Sequence, residues 1–115
     1  MKDRVRKWLL DIQTSIKSVK EYLGEQRNFF DYQQNKMLKR AVEREFEIIG
    51  EATNRILQHV PDIEISSARK IVGLRNHIIH AYDSVSDEII WGIIVNNLPA
   101  LEAEVEILLE GEYSE

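Results

Sequence analysis

The stretch from Ser66 to Tyr82 combines residue types that could act on a phosphate ester. It contains no Asp or Glu, and its basic and imidazole side chains are Arg69, Lys70, Arg75, His77 and His80. In a chain of net charge −5, this local balance favours binding of an anion such as a phosphodiester. A basic helix face that is only solvated would give the same pattern. Arg69 and Lys70 are therefore candidate substrate-binding residues.

Histidine and arginine are sufficient in principle to cleave RNA without a metal ion. Histidine titrates near neutral pH, so it can act as the general base that removes the proton from a ribose 2′-hydroxyl. The planar guanidinium group of arginine can stabilise the charge that develops on the phosphate. His80 as the base and Arg75 as the cation are the candidate catalytic residues.

The spacing of these residues limits how they could act together. Asn76 and His77 lie four and three positions before His80, so each can share a helix face with it. Arg75 and His80 are five apart, which separates them by about 140° on a straight helix. Either the helix ends or distorts before His80, or a second subunit completes the site. The sequence leaves both alternatives open.

Glu45 is a candidate supporting residue. It falls near the middle of the apolar stripe of the helix that precedes the site, and a buried carboxylate needs a partner. We hypothesise that Glu45 contacts Arg75 or His80 and orients it. The alternative is a salt bridge between helices that has no part in activity.

The sequence offers no metal or cofactor site. The chain has no cysteine, which removes disulfides, thiolate nucleophiles and cysteine-bound zinc. His77 and His80 could in principle share a metal ion, but no third ligand is evident beside them. We therefore expect neither a metal nor another cofactor.

Helices are predicted to position these residues, because apolar side chains recur at three- and four-residue steps without an alternating strand pattern. The first is predicted at about residues 3–23, ended by Gly24, since glycine adopts the left-handed conformation that terminates helices. The second is predicted at about residues 32–58, opened by a capping box of Asp31 and Gln34.

Two further helices complete the predicted fold. The third should begin at Ser66 or Ser67, which are both suited to cap a helix, and should end near His80. Ser86 can cap the fourth helix, which should extend to about residue 110 with a kink at Pro99. Together they predict one all-α domain over residues 1–115, an antiparallel four-helix bundle whose third helix is the shortest.

Composition narrows the class of protein. With 115 residues, of which 43% are hydrophobic and 30% charged, the chain can bury its own core. Its longest apolar run, residues 89–95, is far shorter than the ~18 residues of a membrane span. The start of the chain lacks the pattern of a signal peptide. We expect a soluble, cytoplasmic protein.

The run at residues 89–95 is apolar nearly all round its helix. A single bundle core rarely covers every side of a helix, so this run predicts a second buried surface, a homodimer interface. The alternative is a central helix in a monomer.

The string Arg75-x-x-x-x-His80-x-Tyr82 resembles the R-x-x-x-x-H-x-Y signature of HEPN domains, in particular of the HepT-like toxin branch. Residues 47–52, residues 73–76, and Trp91 followed by residues 97–99 also look like that branch. The resemblance covers about residues 41–101.

This resemblance implies a ribonuclease toxin, typically dimeric, that is paired with a minimal nucleotidyltransferase antitoxin. The family's catalytic Arg and His match Arg75 and His80, and Asn76 matches the polar residue inside the motif. The motif tyrosine matches Tyr82, which such an antitoxin neutralises by attaching AMP. The added bulk and negative charge would repel an RNA phosphate. Tyr82 could otherwise be a half-buried aromatic residue that closes a turn.

A second function keeps the same residues. The chain could be a catalytically inactive HEPN module that binds a nucleotidyltransferase partner or a nucleotide. The intact motif favours the enzyme over this binding module.

Overall fold

The computed structural model describes residues 2–25, 27–80 and 86–115. Within these ranges every regular element is a helix. In chain order they are α1 (Lys2–Leu23), α2 (Phe29–Gln34), α3 (Lys36–His59), α4 (Ala68–His80), α5 (Asp87–Asn96) and α6 (Leu98–Glu110). The predicted all-α class is confirmed for this part of the chain, whereas the antiparallel four-helix bundle stays a prediction.

The predicted second helix is two helices, α2 and α3. Asn35 between them leaves the helical conformation, at φ −108 and ψ 93, and its side chain accepts a hydrogen bond from the Leu38 amide at 3.0 Å. Asn28 caps α2 in the same way, accepting from the Asp31 amide at 3.1 Å. Asparagine is a favoured cap because its carbonyl satisfies an otherwise free amide. The capping box predicted at Asp31 is therefore wrong, since Asp31 lies inside α2.

The predicted fourth helix is also two helices, α5 and α6. The break lies at Asn97, whose amide still donates to the Ile93 carbonyl at 2.9 Å. Pro99 follows in the first turn of α6, where its missing amide proton leaves no hydrogen bond unmade. In place of the kink expected at Pro99, the structure has a boundary between two helices at Asn97, two residues earlier.

Two helix ends lie where the sequence predicted them. Gly24 ends α1 with φ +70, and its amide donates to the Lys20 carbonyl at 3.0 Å. Ser67 directly precedes α4, and its carbonyl accepts from the Ile71 amide at 2.9 Å. The Ser67 hydroxyl is buried and has no hydrogen-bond partner among the residues described. Its backbone, and not its side chain, therefore opens α4.

The central helix is α3, which packs against α1 on one side and α4 on another. This agrees with the wide apolar stripe in its sequence. The short α2 is held by aromatic contacts, since Phe29 and Tyr32 lie 5.8 and 5.3 Å from Trp91 of α5 between ring centroids. The fully buried core residues include Val5, Leu9, Ile12, Val19, Val42, Phe46, Ile49, Ile56, Ile71, Ile90, Ile94, Leu101 and Val105.

None of the helices described here combines the length and the apolar composition needed to cross a bilayer.

Candidate functional site

The helix α4 has two faces of different character. Ala68, Ile71 and Leu74 are buried, and the helix packs against α3 on that side. The opposite surface is exposed, and we call it the outer face; it comprises Arg69, Lys70, Gly73, Asn76, His77 and His80. At ~100° per residue these six positions all fall within about 60° of Gly73.

Arg75 lies on the side of α4 that meets α3. A Cβ atom placed on the buried Gly50 of α3 would overlap the Arg75 Cβ and would lie 2.7 Å from the Arg75 Cγ. The side chain of Arg75 is 25% exposed, and its Nη2 lies 2.6 Å from the Glu51 Oε2. Its Nη1 donates to the Asn76 Oδ1 at 2.8 Å. The guanidinium group of Arg75 is therefore held from two sides.

The carboxylate that meets Arg75 is Glu51, which corrects the hypothesis about Glu45. Glu45 accepts a hydrogen bond from the Tyr22 hydroxyl at 2.9 Å. That hydrogen bond, followed by the charge of Glu45, raises the pKa of Tyr22. Positions 45 and 51 differ by about 120° around a helix, so only one of them can point towards Arg75. Within the described residues, Glu45 makes no contact through which it would orient Arg75 or His80.

Arg75 and His80 open onto different depressions. Arg75 borders a cavity of about 440 Å³ between α1, α3 and α4. His80 borders a shallow depression on the outer face with Gly73, Asn76 and His77. The chain remains α-helical through His80, so no helix end or distortion precedes it. On a helix that is regular to His80, Arg75 and His80 lie about 140° apart, and completion of the site by a second subunit stays a prediction.

Asn76 connects the two sides of α4. Its side-chain oxygen accepts from Arg75, while the residue also lines the depression that contains His80. A polar residue directly after Arg75 can therefore reach both the guanidinium group and the outer face.

The charges on the two sides differ in their pairing. In the cavity beside Arg75, each of the four cations has a carboxylate within 3.0 Å; the pairs are Lys7–Asp11, Arg44–Glu47, Arg55–Glu51 and Arg75–Glu51. On the outer face, Arg69, Lys70, His77 and His80 form no ion pair with any residue that the structure describes. These exposed side chains can therefore take an anionic ligand without first breaking an internal pair.

Two predictions remain, one about Tyr82 and one about metal binding. Tyr82, the predicted site of AMP attachment, lies outside the described residues. Across residues 2–25, 27–80 and 86–115, no three His, Cys, Asp or Glu side chains lie close enough together to hold a metal ion.

Gly50 and Glu51 fall within the family resemblance at residues 47–52, but neither residue was assigned a role at the site from the sequence. The available signal was a glycine inside a long helical pattern, which often marks a close approach of another element. The acid beside it could have been tested as a partner for a basic residue of the next helix.

Known proteins resemble this chain along most of its length. The family model described as Ribonuclease HepT-like matches residues 12–108. "Putative RNase MJ1380" of Methanocaldococcus jannaschii is 33% identical over 108 residues, which is 90% of this chain and 95% of that protein. "Probable ribonuclease HepT" of Thermococcus cleftensis is 30% identical over 109 residues, covering 94% and 98% of the two chains. No solved structure matches the chain.

Proposed function

The chain belongs to the Ribonuclease HepT-like family, and from this membership we propose that it is an endoribonuclease that cleaves RNA with Arg75 and His80. The observation that carries the proposal is the outer face of α4. It presents His80 among basic side chains that form no ion pair within the described part of this acidic chain, and Asn76 connects it to Arg75. A polyanion is the ligand that this surface favours.

The chemistry proposed for the site needs no metal ion. His80 takes the proton of a ribose 2′-hydroxyl, and the resulting oxygen attacks the neighbouring phosphorus. The bond to the 5′-oxygen of the next nucleotide breaks, leaving a 2′,3′-cyclic phosphate on one product. The departing 5′-oxygen gains a proton from a general acid or from water. Arg75 stabilises the extra negative charge on the phosphate in the transition state.

We further propose that the working enzyme is a homodimer. Arg75 and His80 of one chain border different depressions, so a second chain would bring one residue of each kind to the same phosphate. Ile89 and Val95 of α5 are 53% and 55% exposed, and burial of such apolar side chains would favour association. The arrangement is testable by mixing Arg75→Ala and His80→Ala chains. Cleavage should be restored, because each heterodimer has one site with Arg75 from one chain and His80 from the other.

The proposed regulator is a minimal nucleotidyltransferase antitoxin that attaches AMP to Tyr82. Tyr82 follows His80 by two positions, and an added phosphate there would place negative charge beside the site. Like charges would then weaken RNA binding. This part of the proposal is supported by the sequence resemblance alone.

The deciding experiment is RNA cleavage in the presence of EDTA. Purified protein whose intact mass excludes AMP should cleave RNA under chelation, and a His80→Ala variant should not. Cleavage retained by His80→Ala would point to another base or to a contaminant. No cleavage by the unmodified protein would favour the binding module, in which the same face holds a partner or a nucleotide.

A further inference from the structure

We propose that Glu51 is a positioning residue for Arg75, with Gly50 allowing the close helix approach that brings the two side chains together. The inference rests on the proposed ribonuclease function and adds a residue to it. Glu51 itself does not touch the phosphate; it acts by fixing where the guanidinium group of Arg75 lies.

Gly50 sets the distance between α3 and α4 at the site. Any larger residue would place its Cβ against the Cβ and Cγ atoms of Arg75, and 3.2 Å from the Ile71 carbonyl oxygen. The Arg75 Cβ and the Ile71 carbonyl oxygen are fixed by the α4 backbone, so they cannot move away by side-chain rotation. The absence of a side chain at position 50 therefore lets Arg75 leave α4 directly over α3, beside Glu51.

Glu51 then orients the guanidinium group. Its Oε2 lies 2.6 Å from the Arg75 Nη2, while Asn76 accepts from the Arg75 Nη1. A guanidinium group has five N–H donors, so three remain for an anion. Holding the group by two of its donors removes side-chain freedom before RNA binds, which is the condition for efficient charge stabilisation.

Arg55 offsets the negative charge of the Glu51 carboxylate beside Arg75. Its Nε donates to the Glu51 Oε1 at 2.9 Å, so the two oxygens of Glu51 are shared between two arginines. A bare carboxylate would repel an incoming phosphate, whereas the Arg55–Glu51–Arg75 group carries one net positive charge. Arg55 therefore balances the charge that orients Arg75.

A salt bridge that serves only stability would behave differently from a positioning contact. Its loss would lower the melting temperature without changing the turnover of the molecules that remain folded. Loss of a positioning contact should lower kcat more than it changes KM, because the misplacement acts on the transition state.

The first measurement is steady-state cleavage of RNA by full-length Glu51→Gln and Glu51→Ala, with folding followed by circular dichroism. We expect kcat to fall by about 10–100-fold in Glu51→Ala and by less in Glu51→Gln, which keeps an acceptor atom. The matched control is Glu102→Gln, since Glu102 forms an interhelical pair with Lys20 at 3.0 Å and is exposed to the same 38% as Glu51. Its kcat should stay unchanged. An unchanged kcat in folded Glu51→Ala would overturn the positioning role.

The second measurement needs no activity. Arginine side chains react with dicarbonyl reagents such as phenylglyoxal, and peptide mass spectrometry gives the rate at each position. Arg75 should react faster in Glu51→Ala than in the unsubstituted protein. The reaction rate of the exposed Arg69 serves as the internal reference. If the unsubstituted protein cleaves no RNA, the proposed function fails, and the labelling alone decides on the contact. An unchanged Arg75 rate in Glu51→Ala would overturn the contact itself.

Discussion

The charged residues on the two faces of α4 differ in whether they are paired with other residues of the described chain. On the side towards α3, Arg75 lies over Gly50 and is held by Glu51 and Asn76. On the outer face, the basic and imidazole side chains are exposed and unpaired within the described chain. One helix thus carries a cation whose position is set by the protein and a surface left available to a ligand. The difference separates residues that organise the site from residues that meet the solvent.

Each side of α4 has a glycine: Gly50 of α3 lies against the buried side, and Gly73 lies on the outer face. The two differ in what an added side chain would contact. A glycine inside a helix is destabilising by ~0.5–1 kcal/mol relative to alanine. At Gly50 that loss is offset by the close packing of α4. At Gly73 an added Cβ would meet no described atom within 4 Å, so packing within the described chain does not require glycine there.

The largest predicted effect is the loss of RNA cleavage when the proposed site residue on either face of α4, Arg75 or His80, is replaced. His80→Ala and Arg75→Ala should each lower the rate of RNA cleavage by about 10²–10⁴-fold, because one removes the proposed base and the other the proposed phosphate-binding cation. Single-turnover cleavage measures both. Only Arg75→Ala should also lower the free energy of unfolding in urea, since His80 is exposed at the end of α4. Equal destabilisation by both variants would contradict the division of the two faces.

The paired glycine variants test the packing directly. Gly50→Ala should lower the free energy of unfolding by about 1–3 kcal/mol, because the added methyl group overpacks the α3–α4 contact. Gly73→Ala should raise it by ~0.5–1 kcal/mol, because alanine favours the helix and meets open space. Urea titration of both variants gives the two values. If both changes had the same sign, Gly50 would not be the contact point of the helices.

Neutralising a charge on the outer face should weaken RNA binding without affecting stability. Lys70→Gln, made in a His80→Ala background to prevent cleavage, should reduce the slope of log K against log salt by about 0.7, the value for one phosphate contact with a single strand. Fluorescence anisotropy at several salt concentrations measures the slope. The control is Lys36→Gln at the exposed start of α3, and an equal change in both variants would argue against a localised RNA surface.

The smallest predicted effect concerns a buried group away from α4. The Tyr32 hydroxyl has no partner among the described residues, and burial, with smaller contributions from Glu43 and Asp87, raises the pKa of Tyr32. Tyr32→Phe should change stability at pH 7 by less than about 1 kcal/mol, because no hydrogen bond is lost.

The same variant has a pH dependence with a defined sign. In the unfolded chain Tyr32 ionises at about pH 10, whereas the folded protein keeps the proton to higher pH. The native protein therefore loses stability as pH rises above ~10, and Tyr32→Phe should lose less. The pKa values of Tyr22 and Tyr113 are raised as well, so the difference between the two proteins is the quantity to measure. Identical alkaline curves would contradict the assignment.

Local signals predicted much of the helical framework but not its interruptions. Gly24 and Ser67 lie at the predicted helix boundaries, although the Ser67 hydroxyl has no hydrogen-bond partner among the described residues and so does not form the cap that was expected. The break at Asn35 was missed, and the break at Asn97 was expected only as a kink at Pro99. An asparagine side chain competes for the backbone amides there, or a proline follows, and periodicity does not report either effect.

The sequence by itself determined the all-α class, the family and the opposite directions of Arg75 and His80, because these depend on composition, motif and a rotation of ~100° per residue. Only the tertiary structure decided which acid meets Arg75. That choice depends on how α3 is rotated towards α4 and how closely the helices approach at Gly50. Such geometry arises from packing between residues on different helices, so neither helix pattern contains it. For this reason Glu51, and not Glu45, is the partner of Arg75.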